Sequence, residues 1–392
     1  MSKENKSILI YYSRFNVGGA ERSNLRLMDY LASKGWDVTL LLKYGNGDLE
    51  EAIPGAVHKI CLAGTSYTGI IAEQKNKLKK ALLRVRYCIP VLKQRIRAKR
   101  ILDELGSKKF DIAAVGLQGL DPAPVIKNIN ASKKLLWIRN DLKLCDKDGR
   151  VRKNIEKYGD KIDFFPCVSK TAYESFVSIF PRFKDKAIVL YNVINADEMR
   201  EKAKGSVPLE TRKDDPALKV ITVCRISDRA KGIFRMISVY KRLRDEGLFF
   251  YWFVVGDGPD LEKAKALVSE KQIGDGFIFL GARENPFPYY KQCDISATLS
   301  YYEGLCGTVN EAKITGLPVI ATEFSGIHEQ IEHGENGWIV ENNEEAILDG
   351  LRKLIVDEKL RAKLTNDHLP EAIASDDQKE KILLGMTEDH GT

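Results

Sequence analysis

Short apolar runs alternate with longer stretches of helical periodicity from one end of the chain to the other. That is the pattern of βα units stacked into parallel sheets. In the first half the runs predict strands at Ile8 to Tyr12, Asp37 to Leu42, His58 to Leu62, Asp111 to Gly116, Lys134 to Ile138, Phe164 to Val168 and Ala187 to Tyr191. In the second half they predict strands at Lys219 to Cys224, Tyr251 to Val255, Phe277 to Leu280, Asp294 to Leu299, Pro318 to Thr322 and Gly337 to Val340. The expected fold class is α/β, with two doubly wound parallel sheets that could be weak structural duplicates of each other.

Between the two series, Ala196 to Ala217 has no strand pattern: charged helix-like residues give way to Gly205, Ser206 and Pro208, then to Asp214, Asp215 and Pro216. The predicted division is a first domain at 1–200, a linker at 201–217, a second domain at 218–375 and a C-terminal helix and tail at 376–392 that could cross back, frayed from Thr387. Open α/β sheets bind ligands at the carboxyl ends of their strands, so two such domains facing each other would enclose a cleft suited to a two-substrate reaction.

The chain has 392 residues, 44% of them apolar, which excludes global disorder. Its seven cysteines are dispersed without a C-x-x-C pair, and only five histidines accompany them. We read a reducing compartment and no metal site. The longest apolar run, Leu248 to Val255, is far short of a membrane span, and the expected location is cytosolic or on a membrane from the cytosolic side. The formal charge of +7 conceals an asymmetry: residues 1–200 hold 37 Lys/Arg against 22 Asp/Glu, a balance of +15, and the remainder hold 25 against 33, a balance of −8. A basic first half points to an anionic partner.

Three places could carry chemistry. After the first strand, Gly18 and Gly19 stand at a strand-to-helix turn where backbone amides and a helix N-terminus suit a phosphate; a tight packing turn is the plainer reading. The spacing is not G-x-G-x-x-G, which disfavours a dinucleotide. After the strand ending at Cys224, Arg225 and Lys231 could share the charge of a departing diphosphate, or belong to a solvated basic loop. The third and most specific is Ser300 to Ala312. Glu303 falls on a loop and Glu311 about two turns into a helix, so both could accept hydrogen bonds from sugar and ribose hydroxyls. Between them the amides of Leu305, Cys306, Gly307 and Thr308 form a helix N-terminus suited to phosphate oxygens. A capping acid plus a surface acid is the alternative.

The segment Glu303 to Glu311 resembles the E-x7-E motif of the retaining GT-B glycosyltransferases of family four. Further stretches agree in order: Val17-Gly18-Gly19-Ala20-Glu21, Arg225 with Lys231-Gly232, Val255-Gly256-Asp257-Gly258-Pro259, Asn285-Pro286-Phe287-Pro288-Tyr289 and His333-Gly334-Glu335-Asn336-Gly337-Trp338. The resemblance implies a GT-B fold and transfer of a hexose from a nucleotide sugar, a UDP-sugar, to a lipid-linked or growing surface glycan, without cofactor or metal. By the same resemblance Glu303 contacts the donor sugar, Glu311 the ribose, Arg225 and Lys231 the diphosphate, and backbone near Arg283 and Glu284 the base. The Gly18-Gly19 loop faces that donor across the cleft.

One departure concerns the acceptor side: many relatives place a His where this chain has Arg139, followed by Asn140 and Asp141. Arg139 could donate to a sugar or acceptor phosphate, or pair with Asp141. Two other functions stay open, a sugar-nucleotide epimerase of the same architecture and an inactive sugar-nucleotide-binding scaffold at the membrane. Finally, residues 75–100 hold eleven Lys/Arg and no acid, interleaved with apolar residues and divided by Pro90 into two amphipathic pieces. This stretch is expected either to lie on an anionic membrane surface or to be a solvated helical face. No nucleic-acid partner is expected, since no recognised module accompanies the charge.

Overall fold

The structure, a computed structural model, describes residues 6–388 except 17, 147, 210, 212–214 and 367. Val17 of the glycine turn, part of the 201–217 stretch and the last four residues therefore lie outside the described residues. Two compact units are present. One holds the chain up to Val168, Ala172–Val193 and the chain from Asp376 onward; the other holds Ser169–Thr171 and Ile194–Ser375.

The first unit is built on β1 (Ser7–Tyr12), β2 (Asp37–Tyr44), β3 (His58–Ala63), β4 (Lys109–Val115) and β5 (Asn130–Leu136), in the order β3-β2-β1-β4-β5 with all pairs parallel. Parallel bridges from Leu135 to Phe164 and from Ile138 to Cys167 continue it into β6 (Phe165–Cys167) and β7 (Ala187–Val189). Ile8, Leu9 and Ile10 are all fully buried, as they must be in a strand covered on both faces. The helix Asp376–Thr387 docks on this unit: Tyr30 donates to Asp377 at 2.6 Å, Trp36 Nε1 donates to Glu380 at 3.1 Å, and Leu383 is buried.

The basic stretch departs from expectation. Pro90 does not divide it; one helix runs from Lys77 to Ser107 with Pro90 inside. Proline removes a single N–H, and a helix with one face in solvent can hydrate the carbonyl left over.

The second unit has β8 (Lys219–Val223), β9 (Tyr251–Val255), β10 (Phe277–Gly281), β11 (Ile295–Thr298), β12 (Val319–Thr322) and β13 (Trp338–Val340) in the parallel order β10-β9-β8-β11-β12-β13. Its chain resumes at Ile194, so the helix Ala196–Lys202 belongs to it, although the predicted bounds put that helix at the end of the first domain and the start of the 201–217 linker. A parallel between the units is visible at their central strand pairs. Ser7 N donates to Asp111 in one and Lys219 N to Asp294 in the other, both at 2.8 Å, each pinning the start of a central strand to a carboxylate beside its neighbour. From β8 the chain steps to β9 on one side and, later, to β11 on the other. The carboxyl ends of β8 and β11 are therefore the topological switch point, where an open sheet leaves a crevice for ligand.

Candidate functional site

Two loops of the second unit leave that switch point, one after β8 and one after β11. The first turns through the short helix Asp228–Lys231. Its Asp228 amide donates to Asp260 at 2.9 Å, and the Asp228 side chain accepts from the amide of Phe234 at 2.9 Å, so both ends of the turn are held. Gly232 follows with φ of +66°, and a Cβ there would fall 2.5 Å from Arg235 Nε. Glycine at this position lets Lys231 sit at the end of one helix immediately before the next begins.

Lys231 Nζ forms an ion pair with Glu303 Oε1, and Ser300 Oγ donates to the same oxygen at 2.7 Å. Burial by itself would lower the lysine's pKa, but the Glu303 carboxylate outweighs it and holds the ammonium above its ordinary range. A fixed cation and a carboxylate thus meet at the carboxyl ends of β8 and β11, the pairing suited to a ligand with both phosphate and hydroxyl groups. The two loops are also joined through backbone, Tyr301 N donating to Ala230 O at 2.8 Å.

The Ser300–Glu303 loop is held by residues outside it. Arg235 donates to Leu299 O and, at 2.7 Å, to Asn342 Oδ1, and its guanidinium stacks 3.9 Å from the centre of the Tyr301 ring. The Asn342 amide donates to the carbonyls of Ser300, Tyr301 and Glu323 at 3.2, 3.1 and 2.9 Å. Further along, Gln330 clamps the start of the helix Gly307–Ile314: it accepts from Cys306 N at 3.0 Å and donates to Cys306 O at 2.8 Å and Asn310 Oδ1 at 2.6 Å. Lys313, wholly buried, donates to Gln330 O at 2.9 Å. Gly326, with φ of +81°, passes so close to Gly304 that a Cβ would lie 2.3 Å from its carbonyl oxygen.

The other residues singled out from sequence fall as follows. Arg225 is exposed on the loop after β8, and among the described residues its guanidinium has no carboxylate partner. Leu305 and Cys306 are buried, Thr308 is half-buried with its hydroxyl 3.2 Å from Cys306 Sγ, and Gly307 is exposed. Glu311 belongs to the buried run Val309–Ile314 of the helix, whereas Glu303 stands on the loop. Arg283 is exposed, 5.8 Å from the Tyr289 ring centre.

Gly18, Gly19, Arg139 and Asp141 belong to the first unit. Gly18 caps the helix Gly19–Ser33 in extended conformation. Arg139 is buried, donating to Gly116 O at 2.8 Å and Asn192 Oδ1 at 2.9 Å, while Asp141 accepts from Lys143 N and Ser175 Oγ as a helix cap. Burial lowers the arginine's pKa, and these bonded oxygens are what keep its charge tolerable.

Arg235, Asn342, Gln330 and Lys313 were not singled out from sequence. Each bonds to a segment 17 to 64 residues away, and no local motif announces such a contact.

Comparison with known proteins agrees with this architecture. Two Rossmann-like units of parallel strands make the fold GT-B, and the crystal structure of HepE from Anabaena in complex with UDP and glucose superposes with a TM-score of 0.72 at 14% identity, covering 98% of this chain and 100% of that one. Residues 208–368, which contain the loops and helices described above, match the family model of the glycosyl transferases group 1. Among curated proteins, the N-acetylgalactosamine-N,N'-diacetylbacillosaminyl-diphospho-undecaprenol 4-alpha-N-acetylgalactosaminyltransferase of Campylobacter jejuni is 28% identical over 221 residues, 56% of this chain; the chain spans 58% of that relative's length. An uncharacterized glycosyltransferase of Haemophilus influenzae is 26% identical over 361 residues, 90% of each chain.

Proposed function

We propose that this chain is a retaining glycosyltransferase that moves a hexose from a UDP-sugar onto a lipid-linked or growing surface glycan, with no cofactor beyond the nucleotide sugar. The observation that carries this reading is the Lys231–Glu303 pair at the carboxyl ends of β8 and β11, with Ser300 orienting the carboxylate. A UDP-sugar carries the two chemistries the pair matches. Its diphosphate takes the ammonium of Lys231, assisted by Arg225 and by the helix-terminal amides at Gly307 and Thr308. Its sugar hydroxyls donate to Glu303, and Glu311 takes the ribose. Arg283 lies beside the base in this reading.

In the reaction the bond between the anomeric carbon and the diphosphate oxygen breaks, its electrons passing to the diphosphate. The acceptor hydroxyl oxygen attacks the same face, and its proton passes to the departing phosphate oxygen. Lys231 and Arg225 lower the barrier by meeting negative charge that grows as the bond breaks. Support for a lipid-linked acceptor and for UDP comes from the relatives: one is named for a diphospho-undecaprenol acceptor, and HepE was solved with UDP and glucose.

The test is acceptor-dependent UDP release from a panel of UDP-hexoses with an undecaprenyl-diphosphate glycan, the product's anomeric configuration being read by NMR. The reading expects release only with acceptor, retained configuration, and loss of at least about a thousandfold in kcat/KM for Glu303→Gln. Epimerised donor in the absence of acceptor, or donor binding with no transfer to any acceptor, would replace it with an epimerase or a binding scaffold.

A further inference from the structure

The helix Lys77–Ser107 carries a second apolar face that nothing in the first unit covers. Its inner side is engaged: Gln94 donates to Thr65 O at 3.0 Å, Tyr87 stacks on Tyr67 at 4.9 Å, and Ala98, Ile101 and Leu102 pack on the core. On the other side Leu78, Leu82, Val85, Ile89, Leu92 and Ile96 are 56 to 79% exposed. Their spacing of four and three residues in alternation puts all six within about 40° of one line along the helix. Six large apolar side chains in a continuous exposed row are not the scatter of single exposed residues that every surface shows.

The cations lie beside this row. Lys79, Arg86 and Lys93 run along one flank, and Arg84, Arg95 and Lys99 along the other, each about 60–120° from the stripe. Between Glu73 and Asp103 the chain has no acid at all. The alternation of four and three also matches a coiled-coil seam, in which a second copy of the helix would occupy the row. The flanks argue against that occupant, because Lys79, Arg86 and Lys93 take the position beside the seam where a partner helix needs opposite charge, and a copy of this helix has no acid to offer there. A surface that is apolar inside and anionic at its rim matches both features together.

We propose that the outer face of the helix Lys77–Ser107 docks in the plane of an anionic lipid bilayer, with Leu78, Leu82, Val85, Ile89, Leu92 and Ile96 entering the acyl boundary and the flanking lysines and arginines meeting lipid phosphates. No described helix is long and apolar enough to cross a membrane, and this mode asks for none: it is peripheral and salt-sensitive, combining apolar burial with charge attraction.

Co-sedimentation of the full chain with vesicles tests it. The chain should bind vesicles of equal phosphatidylglycerol and phosphatidylcholine, bind phosphatidylcholine vesicles much less, and be released by raised salt. Each cation near an anionic leaflet is worth about fivefold in partitioning, so Arg86→Glu with Lys93→Glu should weaken binding by about 25-fold or more. Val85→Glu with Ile89→Glu should weaken it at least tenfold on the same vesicles. All four positions are exposed, so thermal melts and UDP binding should stay as in the wild type, which separates this result from a failure of the proposed function. Indifference to lipid charge, or binding that survives both double variants, would overturn the proposal. So would self-association in sedimentation velocity that the Val85/Ile89 variant abolishes while vesicle binding is absent, which would assign the face to a second copy of the chain.

Discussion

Arg235 and Tyr301 are stacked, the guanidinium carbon 3.9 Å from the ring centre. Through this contact, and through its bonds to Leu299 O and Asn342, a residue of the helix Ile233–Asp245 fixes the loop that presents Glu303. Lysine can supply the charge but neither the planar stack nor two separated donors. Arg235→Lys should therefore cost about 2–3 kcal/mol in urea unfolding, the range of hydrogen bonds to charged groups, and reduce turnover as the loop loosens. An unchanged unfolding midpoint would show that the stack carries no load.

Gln330 uses both ends of its amide on Cys306. Leucine at 330 would leave a buried amide and a buried carbonyl without partners, at about 1–3 kcal/mol for each. The displaced backbone is that of the proposed phosphate-binding turn, so Gln330→Leu should raise KM for the donor at least about tenfold while leaving KM for the acceptor near its original value. Steady-state kinetics with each substrate varied in turn would show it; equal changes in both constants would speak for general loosening instead.

Lys313 is buried against one carbonyl, and desolvation pushes its pKa down to about 8. Unfolded lysine titrates near 10.4. Between these two values the unfolded chain holds a proton that the folded chain lacks, so raising pH through this window favours folding; below about 8 both states hold it and the penalty of burying the charge is complete. Compared with Lys313→Met, the wild type should gain up to about 3 kcal/mol of relative stability from pH 8 to pH 10.5, measured by urea unfolding. A difference between the two proteins that does not change with pH would contradict the burial of a charged amine.

The thiols divide by environment. Cys88 is exposed on the outer basic helix, whereas burial pushes Cys167 and Cys306 up to about 12 and Cys224 up to about 11. Since the thiolate is the reactive form, limited maleimide labelling near neutral pH should modify Cys88 first, and Cys306 only under denaturing conditions. Peptide mass mapping would check this; early labelling at Cys306 would mean that the turn at Gly307 opens in solution.

Much of this organisation is legible in the sequence because it is local. Parallel strands buried on both faces appear as unbroken apolar runs such as Ile8-Leu9-Ile10, and the spacing of Arg225, Lys231 and Glu303 marks strand-to-loop turns. What stays hidden depends on contacts distant in sequence. Nothing near Arg235 or Gln330 indicates that one supports Tyr301 and the other holds Cys306. Pro90 reads as a break in the chain, yet the helix continues because one face is hydrated and the other is anchored by Tyr87 and Gln94. The mean balance of residues 75–100 shows their charge but not that apolar side chains occupy both faces, which only the packed inner side reveals.

The most direct test of the proposed site compares the binding of UDP and uridine by calorimetry in the wild type and in Lys231→Met, with thermal melts confirming that the variant is folded. If Lys231 holds the diphosphate beside Glu303, UDP affinity should fall at least about a hundredfold, a loss of about 2.7 kcal/mol, while the weak affinity for uridine is retained. Equal UDP affinity in the two proteins would contradict the assignment of this crevice to a nucleotide sugar.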